Sequence, residues 1–179
     1  IGEGRDFPWL DPPPADAVAA GLRLLRLLGA VETSAEGHER ISPLGAEMAR
    51  LPAHPRLARL LLAGARHGVL RETSVAAALL GDRDPFRTRR AASGGGPRDR
   101  HRLRSRSDLV DRVFALQAFH AGSAVPDADL EPDPDAARGV LRAAEQLYRL
   151  VEAPLAPRAA DPAAALMLAL LDAFPDRLA

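Results

Sequence analysis

Apolar positions along this chain recur every three or four residues, with breaks at proline and glycine. The stretch PADAVAAGLRLLRLL at 14–28 has that spacing and predicts a helix. Gly29 stands where a left-handed residue commonly ends one. Residues 30–42, AVETSAEGHERIS, change period. Strand-like pieces around Val31 and Ile41 flank Ser34, Ala35, Glu36 and Gly37, a turn composition, and together they predict a hairpin. Ser42 followed by Pro43 marks a new helix start. Helix, hairpin and helix in about forty residues outline a winged-helix unit, with the hairpin as its wing.

Beyond residue 53 the pattern is helical only. Pro52 stops the short helix and Pro55 starts another, so the chain turns a corner that two fixed φ angles make stiff. Over 55–67, Leu57, Leu60, Leu61 and Ala65 share one face, while Arg56, Arg59 and Arg66 share the other. A mostly apolar helix follows at 70–81. Residues 83–107, RDPFRTRRAASGGGPRDRHRLRSRS, are too polar and Gly-rich to bury surface and predict a disordered linker. Ser107 caps a helix to about His120, and 121–132 is a Pro/Asp loop. Asp133-Pro134 opens a helix over 134–152 with Ala137, Val140, Leu141, Ala144, Leu147, Tyr148 and Val151 as its stripe. Glu145 and Arg149 stand at i,i+4 on its other side, worth a few tenths of a kcal/mol. Asp161-Pro162 opens a last helix that is apolar on every side and is expected to be buried all round. The fold class is mainly α: a winged-helix-like unit over 1–52, then a five-helix, ratchet-like bundle over 53–179 that carries the linker.

Composition narrows the chemistry. Aromatic residues make up 4% of the chain, so the core is built from Leu, Ala and Val. Cysteine is absent, which removes disulfides and thiolate metal sites and fits a reducing, cytoplasmic setting. All 24 basic residues are Arg, and Asn is absent too, a bias read first as genome composition. Net charge is zero but uneven. Residues 1–82 balance to −1, 83–106 to +7 and 107–179 to −6. No basic start and apolar run mark a signal peptide, and no apolar stretch reaches the roughly 20 residues that span a bilayer. The absence of an initiator Met suggests a piece of a longer chain.

Catalytic motifs are missing. The chain has no Walker A loop, GxGxxG, HExxH or CxxC, and its five His do not cluster at ligand spacing. His54 beside Pro55 reads as structural. Asp82 and Asp84, and the trio Asp127, Asp129 and Glu131, read as caps and solubilising charge. No nucleophile pairs with a base, so neither catalytic nor metal-binding residues are expected.

The corner carries the most specific signal. ISPLGAEMARLPAHPRLARLLL resembles the helicase-associated region of DEAH-box RNA helicases, with Leu44, Gly45, Met48, Ala49, Leu51, Pro52, Pro55, Arg56 and Leu57 on its pattern and Ser42 where Thr is usual. Three further stretches resemble the bacterial HrpB-type branch: FPWLDPPP at 7–14, LLGDRDPF at 79–86 and LLDAFPDRLA at 170–179, with Phe174 in place of Tyr. The linker at 88–106 matches no part of that pattern.

The resemblance implies a parent ATP-dependent helicase whose two RecA-like domains hold ATP, Mg and the catalytic carboxylates. This region would be non-catalytic, its winged-helix unit docked on that motor and its bundle clamping single-stranded RNA or DNA without sequence preference. Arg56, Arg59 and Arg66 on the helix, and Arg98, Arg100, Arg102, Arg104 and Arg106 in the linker, are the candidate phosphate contacts. Each also reads as solvated surface charge. Two rivals remain. One is a winged-helix DNA-binding regulator with a helical dimerisation domain, though the 14–28 helix offers only Arg23 and Arg26. The other is the helical lid of a different ATPase, which would lack the hairpin.

Overall fold

The computed structural model describes residues 8–34, 38–81, 84–86, 107–125 and 130–177. In chain order its elements are α1 (Ala15–Leu27), β1 (Val31–Thr33), β2 (Glu39–Ile41), α2 (Pro43–Ala49), α3 (Pro55–Arg66), α4 (Leu70–Gly81), α5 (Asp108–His120), α6 (Pro134–Leu150) and α7 (Pro162–Ala173), followed by a 3-10 turn at Pro175–Arg177. The mainly α class and the single hairpin agree with the sequence pattern. The hairpin's expected turn, at 35–37, lies outside the described residues. The chain divides into two compact units: residues up to Arg59 with the stretch from Leu171, and Leu60–Leu170. This division runs inside α3 and α7, whereas the sequence pattern puts a boundary at 52/53.

In the first unit, α1 ends as its glycine requires. Gly29 has φ of 72°, and the amides of Gly29 and Ala30 donate back to Arg26 O and Leu25 O at 2.9 and 2.8 Å. The chain turns into β1, which pairs antiparallel with β2 in the register Val31 to Ile41 and Thr33 to Glu39. Ser42 joins three pieces. Its hydroxyl donates to Gly29 O at 2.6 Å and accepts from the Gly45 amide at 2.9 Å, which caps α2, while its own amide donates to Ala30 O at 3.0 Å. Gly45 is obligatory here: a β-carbon would stand 2.0 Å from Ala30 O. The Ser42, Leu44, Gly45 and Met48 pattern is therefore a packing rule, because α2 lies directly on the end of α1. Pro52 and Pro55 break the helix between Ala49 and Pro55, as expected.

In the second unit, α4 is the hub. Every residue from Glu72 to Ala78 is buried, and α5 and α6 pack against it. Thr73 and Ser74 bury hydroxyls there without loss, because both donate back to carbonyls of the preceding turn, Ser74 to Leu70 O at 2.8 Å. Most of the linker expected at 83–107 lies outside the described residues, but residues 84–86 near its start are packed. Pro85 and Phe86 are buried. Asp84 caps the Phe86 amide at 3.0 Å, the Asp133 amide donates to Pro85 O at 2.8 Å, and Phe86 bridges to Pro132. Asp133 then caps α6 through the Asp135 and Ala136 amides.

After α6, residues 151–161 form a strap over the α3–α4 turn. The Ala156 and Ala159 amides donate to Ala65 O and Gly68 O, and Arg158 meets the buried Glu72 at 2.7 Å. One expectation needs correcting. α7 is not buried all round, because Leu168 and Leu171 are 51% and 36% exposed while Leu166, Ala169 and Ala173 are buried. Its composition lacks the polar face that would have told the two sides apart.

Candidate nucleic-acid interface

Two of the three arginines singled out on α3, Arg56 and Arg59, face their own chain. Arg56 holds Asp176 through two parallel bonds of 2.7 Å, donates to Ala173 O at 3.1 Å and lies 5.3 Å from the centre of the Phe174 ring. Only 15% of its side chain is exposed. The paired geometry is the strong form of an Arg–carboxylate contact. Those hydrogen bonds, led by the side-chain bond from Arg56, hold the Asp176 carboxyl below its usual range. Arg59 meets Asp172 at 3.1 Å with 11% exposure. Two sequence motifs 120 residues apart, PRLAR and FPDR, thus close on each other. Arg66 is exposed at the end of the helix. Arg98, Arg100, Arg102, Arg104 and Arg106 lie outside the described residues.

The first unit also pairs other cations with its own carboxylates at the surface. Arg26 pairs with Glu39, and Arg40 pairs with Glu32 at 2.8 Å across the hairpin. Its exposed apolar side chains stand out instead. Leu10 is 98% exposed, Trp9 46% and Leu27 48%, and α1 has no buried residue.

A cleft of about 500 Å³ opens between α4, α5 and α6. Its floor is apolar, from Val75, Leu141 and Ala144, and its rim carries Arg71, His120, Arg138 and Arg142. Tyr148 forms one wall, and the Arg71 guanidinium sits over its ring at 4.6 Å. Glu145 is the carboxylate of the lining, and Arg149 balances it at 2.9 Å. Arg138 is steadied by Asp135 at 2.8 Å. The lining is therefore net positive, although two of its arginines come from the acidic 107–179 segment. Reasoning from Arg density passed over this site. The available signal was the i,i+4 pair Arg138 and Arg142 on the same helix as the chain's only Tyr. Among the described residues no group of three or more His, Cys, Asp or Glu is placed to hold a metal ion, and no helix is long and apolar enough to cross a membrane.

Residues 54–122 match the ratchet-like helicase-associated domain, HA2. The chain is 35% identical over 86 residues to the ATP-dependent RNA helicase HrpA of Escherichia coli, 48% of this chain and 7% of that protein. It is 31% identical over 130 residues to the ATP-dependent RNA helicase dhx29 of Xenopus laevis, 70% of this chain and 9% of that protein. A probable ATP-dependent RNA helicase, the DHX35 homolog of Caenorhabditis elegans, is 32% identical over 111 residues, 62% of this chain and 13% of that protein. The chain thus spans about a tenth of the length of the curated relatives it matches. It carries a helicase-associated region of the DEAH-box RNA helicase type, with the ratchet-like domain at residues 54–122.

Proposed function

We propose that this chain is the non-catalytic accessory region of an ATP-dependent RNA helicase. The unit with α1 and the hairpin docks on the RecA-like motor of the same parent, and the helical unit clamps single-stranded RNA or DNA without sequence preference. ATP and Mg belong to the motor domains, where the parent's hydrolysis takes place, and the setting is cytoplasmic. The observation that carries this reading is the match of 54–122 to the ratchet-like domain. It is supported by the exposed Trp9, Leu10 and Leu27, an apolar surface suited to a protein partner. The scarcity of cations on the 14–28 helix, Arg23 and Arg26 alone, with Arg26 paired to Glu39, argues against a duplex-reading winged helix.

We assign the parent to the HrpB-type branch. The support is the FPWLDPPP, LLGDRDPF and LLDAFPDRLA stretches, two of which meet structural needs at Asp84–Phe86 and at the Arg56–Asp176 contact. The test is ATP turnover and RNA binding by this chain alone and by the parent. The chain alone should hydrolyse no ATP and bind single strands weakly and nonspecifically, while RNA should stimulate the parent's ATPase. Tight, sequence-specific duplex binding by the chain alone would sink the reading.

A further inference from the structure

We propose that the α4–α5–α6 cleft holds one nucleotide of a single strand, its base laid against the Arg71–Tyr148 pair and its phosphates met by Arg138 and Arg142. This rests on the clamp reading above and adds the residues that make the contact. The volume, about 500 Å³, suits a ligand of that size. The Arg71 guanidinium and the Tyr148 ring, 4.6 Å apart, form a flat cationic stack. A base extends such a stack by offering its π face. Arg138 and Arg142 are both exposed on successive turns of α6, about 5–6 Å apart at their β-carbons, a spacing that suits a phosphate and its bridging oxygens.

The lining also says what the cleft does not read. Val75, Leu141 and Ala144 offer no hydrogen bonds from their side chains, and the Ser74 hydroxyl is already committed to Leu70 O. Gln117 is the one uncharged amide that can meet a base edge, so base preference is weak. A paired base is already stacked on both faces and cannot enter, so duplex is excluded. The site is distinct from the α3 arginines Arg56 and Arg59, which hold the carboxyl-terminal stretch.

The experiment is fluorescence anisotropy of the 179-residue chain with labelled oligo-U, oligo-dT and a blunt duplex, each titrated at several salt concentrations. The expected wild-type result is binding of both single strands and at least tenfold weaker binding of the duplex. R138A/R142A should weaken single-strand binding by about tenfold or more at low salt and lower the salt slope by about two. Tyr148→Ala should weaken it by roughly five- to a hundredfold with the slope unchanged, and Tyr148→Phe should restore it. Arg142→Glu, a surface reversal that leaves the core alone, repeats the test if Tyr148→Ala does not fold. Wild-type affinity in the cleft variants, with loss in R104A/R106A, overturns the cleft and leaves the clamp reading standing. Equal affinity for duplex also overturns the cleft. No binding of any probe at low salt overturns the cleft and the clamp reading together.

Discussion

The two units hold themselves together by different means. The helical unit is built around α4, a helix with seven consecutive buried residues, and its cohesion comes from apolar contact. The other unit has α1, a helix with none, and it is held by directed polar ties: the Ser42 hydroxyl between α1 and α2, the Arg26–Glu39 and Arg40–Glu32 pairs, and Arg56 on Asp176. A unit fastened this way keeps its shape with only a small apolar core, Leu28, Met48 and Leu51 among it, and leaves Leu10 and Leu27 exposed. A unit closed around its own core can expose cations on its rim instead.

Three changes would break or sharpen that contrast. The largest effect is expected in the helical unit. Leu116→Ala removes a fully buried side chain and should cost about 3 kcal/mol, read by denaturant unfolding. A cost below about 1 kcal/mol would mean that the apolar core is not what holds this unit. In the other unit, Gly45→Ala puts a β-carbon 2.0 Å from a backbone oxygen, so α2 must move off the end of α1. A loss of about 2 kcal/mol is expected, with faster hydrogen exchange at the Ser42 and Gly45 amides, and unchanged exchange there would contradict the tight fit. The smallest effect is a pH response. The Asp176 carboxyl is held below its usual range, so its contact with Arg56 adds stability that is fully present above the unfolded value of about 3.9 and is lost as pH falls through the lower folded value. Amide protection around 172–177, exchange taken relative to the unfolded chain at the same pH, should hold at pH 5 and fall only below about pH 3.9. Weakening near pH 6 would assign the contact to some other group.

Local signals were legible in the sequence. Ser42 with Pro43, Asp133 with Pro134 and Asp161 with Pro162 mark helix starts, and in each case the side chain accepts from amides of the first turn. The Glu145–Arg149 pair follows from helical spacing alone. Long-range partners were not legible. Periodicity places Arg56 and Arg59 on the polar face of α3, but nothing local says that Asp172 and Asp176 return to meet them. The cleft was missed for the same reason: Arg71 comes from α4 and Arg138, Arg142 and Tyr148 from α6, and only the packing of those helices brings them together. α7 misled by composition, because Asp172 near its end is its one polar residue and the turns before it look the same on their buried and exposed sides.

The anchoring of Asp84–Phe86 onto Pro132 and Asp133 has a practical consequence. The chain enters the 87–106 stretch from a fastened point and leaves it at Ser107, one residue before α5. Loosening that fastening, as in Asp84→Ala, should therefore be felt across the sequence gap, at the first turn of α6 as well as at Phe86.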